Sequence, residues 1–354
     1  MRPVTRRLAR TLQHGITRLF PLALGLLGAG NAFAQAPQLT ALCSTDQTWC
    51  ELAAKEFQAA TGIKVLQVRK ATGEALAQLR AEAANPKTDL WWGGTGDPYL
   101  QAAEAGLLEA YRPAYLNDLH GWAVRQYAMS GNMVGGFYTS AIGFGWNEDV
   151  LKKRKLAAPR CWSDLLNPAY KGEIETSHPA SSGTGYTILA GLVQMMGEEP
   201  AFDYLKKLHR NVTQYTRSGT AQAKSVAKGE VGIGVSFIFG FDKWRHDKYP
   251  VKTVAPCEGT GYEVGGIAIV KGARNKEAAQ RFIEFCLRPE QQKAWALAGF
   301  YMPNHAETLN TLRASPEGSF LPDLENGKNA IIDPAWWGDN LTEVQRRYSE
   351  WMIS

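Results

Sequence analysis

The fold is decided by residues 39–96, which read LTALCSTDQTWCELAAKEFQAATGIKVLQVRKATGEALAQLRAEAANPKTDLWWGGTG. Three short β-rich runs, at 39–43, 63–68 and 89–92, alternate with apolar helical patterns, and Gly62 ends the first of these patterns. Strands and helices that alternate at this spacing indicate a parallel α/β sheet.

A second α/β block follows a long β-rich stretch at 136–147. It is predicted to contain a strand at 173–176, a helix at 185–196 and a glycine-containing strand at 231–239. The β-rich stretches 136–147 and 255–270 then form passages between two lobes that are hinged across a cleft. The expected boundaries are 35–137 plus about 265–310 for lobe 1, and 138–264 plus about 311–354 for lobe 2.

The formal net charge of +5 belongs entirely to the first 34 residues. They hold five arginines and no acid, so residues 35–354 carry 34 basic and 34 acidic side chains and are formally neutral. A neutral body has no electrostatic footprint for a phosphate backbone, which argues against a nucleic-acid partner. The hydrophobic share of 45% is typical of a globular protein, and about 320 residues favour two domains.

Residues 1–34 have the pattern of a signal peptide. A basic stretch runs through Arg18, an apolar run spans 19–27, and Ala32-Phe33-Ala34 provides the small residues that a signal peptidase requires. The apolar run is too short for a transmembrane helix, which disfavours the alternative of a retained anchor. We expect cleavage after Ala34 and a monomeric protein in the periplasm.

All five cysteines lie in the part that would be exported, where disulfides persist. Because five is an odd number, at least one thiol remains unpaired or pairs between chains. We predict a Cys161–Cys257 disulfide and leave a Cys43–Cys50 disulfide open. Cys286 lies in a helical apolar pattern and is expected to be the free thiol. No CxxC pair or Cys/His cluster occurs, so neither a metal nor another cofactor is predicted.

Loops rich in Gly, Ser and Thr recur immediately before predicted helices. Backbone N–H groups and the positive helix end point out of such a loop, beside hydroxyl donors, so that it can hold an anion. The alternative for each single loop is that Ser and Thr serve only as helix N-caps. At the carboxyl ends of the strands of an open α/β sheet, four such loops predict one shared anion-binding cleft. The predicted ligand-binding residues in these loops are Ser44, Thr45, Gly94, Thr95, Ser181, Ser182, Gly183, Thr184 and Ser218.

Catalysis has little support in the sequence. The hydrolase, P-loop and zinc-protease motifs G-x-S-x-G, G-x-x-x-x-G-K-[ST] and H-E-x-x-H are absent. His178 near Ser181 and Ser182 is the one candidate base and nucleophile, and the sequence places no acid beside it. We therefore expect a binding protein without catalytic residues.

Three stretches resemble a known family, the periplasmic solute-binding proteins of bacterial ABC importers. The resemblance is to the branch that binds ferric iron, hexose phosphates and phosphonates. It implies a two-lobe, type II α/β fold that closes over its ligand by hinge motion and delivers it to a membrane permease. The matching stretches are 89–111 (DLWWGGTGDPYLQAAEAGLLEAY), 161–197 (CWSDLLNPAYKGEIETSHPASSGTGYTILAGLVQMMG) and 255–292 (APCEGTGYEVGGIAIVKGARNKEAAQRFIEFCLRPEQQ).

Ligand identity is where the chain departs from parts of this branch. Ferric-binding relatives carry an adjacent Tyr pair after the strand that matches 231–235, whereas this chain has the sequence SFIFG at 236–240. Hexose-phosphate relatives carry a His-Asp pair where Phe239-Gly240 stands here. The SSGTG loop and Glu263 remain as candidate ligand-binding features. Glu263 either binds an amine of the ligand or stabilises the hinge.

The resulting prediction is capture of a small anionic solute, an organophosphate, phosphonate or carboxylate, for an ABC permease. Ferric iron held through a synergistic anion is the alternative within the binding class. A periplasmic sensor subunit that presents its ligand to a receptor kinase is the alternative from another class.

Overall fold

The structure, a computed structural model, describes residues 37–299, 301–319 and 321. The predicted signal peptide with its cleavage site, and most of the predicted end of lobe 2, lie outside the described residues. Within the described part of the chain, no helix is long and apolar enough to cross a membrane.

The first part of the chain alternates strands and helices as residues 39–96 predict. The strands β1, β2 and β3 pair in parallel, in the order β2-β1-β3. Gly62, with φ of 72°, ends α1 in the left-handed conformation. The elements are β1 (Gln38–Cys43), α1 (Gln47–Thr61), β2 (Lys64–Arg69), α2 (Thr72–Glu82), β3 (Leu90–Thr95), α3 (Asp97–Glu104), β4 (Leu108–Glu109), a 3-10 helix (Ala114–Asp118) and α4 (Gly121–Met129).

The middle of the chain forms the second α/β block. Its elements are β5 (Gly135–Asn147), α5 (Glu148–Arg154), 3-10 helices (Trp162–Leu166 and Pro168–Tyr170), β6 (Ile174–Ser177), α6 (Gly183–Met196), α7 (Glu198–His209), β7 (Val212–Thr216), α8 (Ala221–Ala227), β8 (Ile233–Phe237), α9 (Ile238–His246) and β9 (Val251–Val254). The chain then continues through β10 (Tyr262–Val270), α10 (Lys276–Leu287), α11 (Pro289–Gly299), β11 (Met302–Pro303), α12 (Ala306–Arg313) and a 3-10 helix (Pro316–Gly318).

The thirteen-residue strand β5 belongs to both parts of the sheet, whose order is β2-β1-β3-β10-β5-β8-β6-β7. Its first part pairs antiparallel with β10, from Gly135 opposite Ile267 to Ala141 opposite Tyr262. Its last part pairs antiparallel with β8, from Ile142 opposite Phe237 to Trp146 opposite Ile233. The two stretches predicted as passages thus contain the strands, β5 and β10, that lie at the centre of the sheet.

The predicted strand 231–239 is wrong at its end. The chain turns at Phe237 and begins α9 at Ile238, so that Ile238 and Phe239 are helical. Apolar runs of this length do not distinguish a strand from a buried helix, and here both elements are buried. The ring of Phe241, one turn into α9, packs against Gly145 and Gly234 of the neighbouring strands.

The adjacent tryptophans of β3 are both fully buried. Trp91 stacks on Tyr99 with ring centroids 3.6 Å apart, and Trp92 meets Trp49 edge-on at 6.0 Å on the other face of the sheet. Their indoles serve as core residues on the two sides of the strand, and neither faces the cleft.

The structure contains two disulfides, Cys161–Cys257 and Cys43–Cys50. Cys286 is a free thiol and is buried in α10. The Cys43–Cys50 bond joins the last residue of β1 to the first turn of α1 and encloses residues 44–49. It therefore restrains the first of the predicted anion-binding loops.

Candidate functional site

A cleft lies where β1, β2, β3 and β8 end and the following helices begin. Because carboxyl ends of neighbouring strands meet at one edge of a sheet, the loops that follow them converge there. Eight of the ten predicted ligand-binding residues line this cleft: Ser44, Thr45, Gly94, Thr95, Ser182, Gly183, Thr184 and Glu263. The other lining residues are Asp46, Arg69, Ala71, Thr72, Tyr138, Gly219, Thr220, Phe237 and Phe239.

The loop after β1 is held in place from three sides. The hydroxyl of Ser44 accepts a hydrogen bond of 2.8 Å from Trp91 Nε1, and Arg69 Nε donates to the carbonyl of Thr45 at 3.1 Å. The Cys43–Cys50 disulfide closes the loop from behind. Ser44 is thus a partner of the core rather than the cap of α1, whose N-cap, Asp46, makes no side-chain capping bond.

Three helices of eleven or more residues begin at the cleft. They are α1, which starts after Asp46, α2, which starts after Ala71, and α6, which starts after Ser182. The first N–H groups of a helix lack partners within it and carry partial positive charge. Three such ends directed at one cleft create a site for an anion without requiring a charged side chain.

Hydroxyl groups stand between these helix ends. Thr72 Oγ1 and Thr95 Oγ1 form a buried hydrogen bond of 3.2 Å, and a Cβ added to Gly183 would collide with both hydroxyls. Gly94 adopts φ of 77° within β3, and a Cβ there would lie 2.5 Å from Thr72 Cγ2. Only glycine therefore fits at positions 94 and 183, and the lack of a side chain there allows the loops to approach each other closely.

Ser182 both caps helix α6 and lines the cleft. It is the N-cap of α6, where its hydroxyl accepts a 3.4 Å bond from the Gly185 N–H, and it also lines the cleft. The capping of α6 by Ser182 therefore does not exclude this residue from the lining of the cleft.

Arg69 is the one cation among the described residues that line the cleft. It stands at the last position of β2, half-buried, and its guanidinium also reaches Ser218 Oγ at 3.4 Å. Two carboxyl groups share the cleft with it, those of Asp46 and Glu263.

Glu263 is the most unusual of these groups, since it is only 7% exposed. Burial raises the pKa of its carboxyl well above the ordinary value, the nearby Asp97 raises it further, and a hydrogen bond with Thr187 opposes them. Its Oε2 has no hydrogen-bond partner among the described residues. Burial likewise raises the pKa of Asp97 to about 7, against a lowering by its own backbone N–H.

Aromatic side chains form the remaining wall. Phe237 and Phe239 stack with centroids 5.9 Å apart, and Phe239 meets Tyr138 edge-on at 6.4 Å. The Tyr138 hydroxyl accepts a hydrogen bond of 3.0 Å from the Gly94 N–H. Burial, reinforced by Glu263, raises the pKa of Tyr138 well above its usual value, so that it remains a neutral phenol.

Two of the predicted residues do not line the cleft. Ser181 faces away, with its hydroxyl 3.5 Å from the His178 carbonyl. Ser218 lies behind the lining, where its hydroxyl contacts Arg69 at 3.4 Å and the Thr220 N–H at 3.5 Å. Nδ1 of His178 accepts a hydrogen bond of 3.1 Å from the Ala180 N–H, so that the ring caps its own loop.

The sequence missed Arg69, Asp46, Thr72 and Tyr138. Arg69 was detectable, because it directly follows the predicted strand 63–68 at the edge where the loops converge. Asp46 and Thr72 flank helix starts, where their residue types also suit ordinary capping. Tyr138 lies in a strand that is buried on both faces, and alternation there carries no information about the cleft.

One group of three metal-ligating side chains occurs among the described residues, Cys161, Cys257 and Glu258. Its two sulfurs are joined in the disulfide and are therefore not free thiolates. It lies outside the set of residues that line the cleft.

Residues 87–321 match the model of a family described as bacterial extracellular solute-binding protein. The chain is 41% identical over 276 residues to an uncharacterised protein of Haemophilus influenzae, which covers 77% of this chain and 80% of that protein.

Two solved structures are similar over nearly the whole chain. AfuA from Actinobacillus pleuropneumoniae, with exogenous fructose-6-phosphate bound, is 36% identical with a TM-score of 0.81, over 89% of this chain and 98% of that one. The periplasmic binding protein P5PA is 33% identical with a TM-score of 0.81, over 89% and 99%. These likenesses confirm the predicted α/β fold of type II periplasmic binding proteins.

Proposed function

Because the chain belongs to the family of bacterial extracellular solute-binding proteins, we propose that it captures a small anionic solute in the cleft. The solute is an organophosphate or a phosphonate, and the bound protein delivers it to the permease of an ABC importer. The protein acts in the periplasm as a monomer, after removal of residues 1–34.

One observation carries the proposal. The N-termini of α1, α2 and α6 point into a single cleft together with the hydroxyls of Ser182 and Thr184 and the guanidinium of Arg69. A phosphate group offers several acceptor oxygens and one or two negative charges, which match N–H groups, hydroxyls and an arginine. AfuA, the related protein with fructose-6-phosphate bound, supports a phosphate ester.

Hinge motion provides the entry path. The cleft is bounded by residues on both sides of the shared strand β5, and β5 and β10 connect the two proposed lobes, 35–137 with about 265–310 and 138–264 with about 311–354. A ligand that touches both lobes stabilises the closed state by its differential affinity for it. The closed form then engages the permease.

Ferric iron fits this cleft less well. Fe³⁺ prefers several anionic oxygen ligands. Tyr138 is the one phenol among the described lining residues, burial keeps it protonated, and its oxygen is engaged by Gly94. Asp46 is engaged by Thr220.

A thermal-shift screen of the purified protein tests the proposal. The panel contains inorganic phosphate, fructose 6-phosphate, 2-aminoethylphosphonate, citrate, amino acids and Fe³⁺. A true ligand at 100 times its dissociation constant adds about 2.7 kcal/mol to the free energy of unfolding. We expect phosphate esters or phosphonates to give the largest shift. A shift with Fe³⁺ accompanied by visible absorbance, or with amino acids alone, contradicts the proposal.

A further inference from the structure

A second cavity lies beside the cleft, between the first turns of α1, the side chains of Phe239 and Lys243 on α9, and the end of α11. We call it the side pocket, and it is partly open to solvent. Asp46 and Phe239 line both cavities, so the side pocket adjoins the cleft past the ring of Phe239.

The large apolar side chains that line the side pocket are Trp49, Leu52 and Phe239, and the two rings are held in place. Trp49 is 7% exposed and stacks on Tyr301 with centroids 4.3 Å apart, and Phe239 stacks on Phe237. Leu52, one turn after Trp49 on α1, completes this wall. Rings fixed in this way form a surface onto which an apolar group can pack without ordering the side chains first.

Thr48 and Asp46 of the side pocket already have hydrogen-bond partners, while Trp49 Nε1 is buried without one among the described residues. Thr48 Oγ1 accepts a 3.2 Å hydrogen bond from Lys243 Nζ, and Asp46 Oδ1 accepts one from Thr220. A sugar ring placed here would bury hydroxyls against Trp49, Leu52 and Phe239, and each unpaired hydroxyl costs binding free energy. An apolar ring or chain of similar size gains free energy from the same surface.

We propose that the solute consists of an anionic group and an apolar ring or chain. The anionic group occupies the cleft, and the apolar part extends beyond the ring of Phe239 and packs in the side pocket. The inference rests on the proposed function and adds the substrate class: a phosphate or phosphonate of an apolar ring or chain rather than of a sugar.

The test compares three phosphate esters, each titrated calorimetrically into the purified protein: methyl phosphate, fructose 6-phosphate and 1-naphthyl phosphate. Methyl phosphate reports on the cleft alone, and naphthyl phosphate adds an apolar body. We expect 1-naphthyl phosphate to bind at least tenfold more tightly than either of the others.

A pair of matched variants locates the effect. Ala298 lies at the side pocket and Ala294, one turn earlier on the same helix, does not; both are exposed. Ala298→Trp fills the side pocket and is expected to abolish the preference while methyl phosphate binds unchanged. Ala294→Trp is expected to keep it. Leu52→Trp, which enters the side pocket from the opposite wall, replaces Ala298→Trp if that variant does not fold.

The outcomes separate the two proposals. Equal or tighter binding of fructose 6-phosphate overturns the apolar body and leaves the cleft assignment intact. A naphthyl preference that survives in Ala298→Trp and Leu52→Trp overturns the side pocket. If none of the three esters binds, the phosphate site of the proposed function is wrong, and this inference with it.

Discussion

The hydroxyl of Thr220 donates a hydrogen bond of 2.7 Å to Asp46 Oδ1, across the cleft and 174 residues apart in sequence. Asp46 precedes α1 in the first part of the sheet, and Thr220 precedes α8 in the second. The bond therefore joins the two walls of the cleft directly, and it can form only when the walls are close together.

Thr220→Val should weaken solute binding by removing this bond. A hydrogen bond to a charged group contributes about 1.5–3 kcal/mol, so we expect a loss of about tenfold or more in affinity, measured by calorimetry with the best ligand of the screen. The exposed Thr213 on β7 offers the matched control, because Thr213→Val removes a hydroxyl away from the cleft. Equal affinity of Thr220→Val and the native protein would show that the bond does not contribute to closure.

Ser182→Ala combined with Thr184→Ala should weaken binding at least tenfold, about 1.4 kcal/mol. Both hydroxyls line the cleft at the start of α6, and Ser182 also caps that helix. Loss of the cap costs about 1 kcal/mol of stability, so thermal unfolding must be followed alongside the titration.

Ser181→Ala is the natural control for this double variant. Ser181 belongs to the same loop but lies outside the cleft lining. It should leave the isotherm unchanged, and a loss as large as that of the double variant would contradict the assignment of the lining.

Removal of each disulfide in turn should affect the stability of the protein and its affinity for the ligand in opposite order. In the chain-entropy account, a cross-link contributes more when it closes a longer loop. Cys161 and Cys257 are 96 residues apart and Cys43 and Cys50 only 7, which corresponds to about 4.7 and about 2.5 kcal/mol. Replacing both members of each pair by Ala should therefore lower the denaturant midpoint more for Cys161 and Cys257.

Binding should show the opposite order. The Cys43–Cys50 bond encloses Ser44, Thr45 and Asp46 of the cleft, so its removal frees the loop that the ligand requires in one conformation. We expect the larger affinity loss for the Cys43→Ala/Cys50→Ala variant. The reverse order in titrations would show that the loop is held by Trp91 and Arg69 alone.

Sequence reasoning found the alternation of strands and helices because hydrophobic period and glycine placement are local signals, as at Gly62. It found most of the cleft for the same reason, since Gly, Ser and Thr before a helix mark a strand end. It overlooked Arg69, although that residue directly follows the predicted strand 63–68. It could not find Tyr138, whose place in the cleft depends on which strands become neighbours. It misread Ile238 and Phe239, because a short apolar run suits a strand and a buried helix equally.

The pH dependence of stability should reveal the buried carboxyl groups beside the cleft. Burial raises the pKa of Asp97 to about 7 and that of Glu263 well above its ordinary value. The folded state then binds more protons than the unfolded state once the pH exceeds about 4, the ordinary value for Asp. Stability from Asp97 is fully present below that pH and is lost as the pH rises through 7, by up to about 1.4 kcal/mol per pH unit, and Glu263 contributes a loss of the same sign.

Asp97→Asn keeps the shape of the side chain and removes its titration. We expect the fall in the free energy of unfolding between pH 5 and 7, followed by urea denaturation, to be shallower in this variant than in the native protein. Asp203→Asn removes an exposed carboxylate on α7 and matches the change in net charge; its slope should remain that of the native protein. Parallel profiles for the native protein and Asp97→Asn would mean that Asp97 is ionised in the folded protein throughout this range, despite its place beside Glu263.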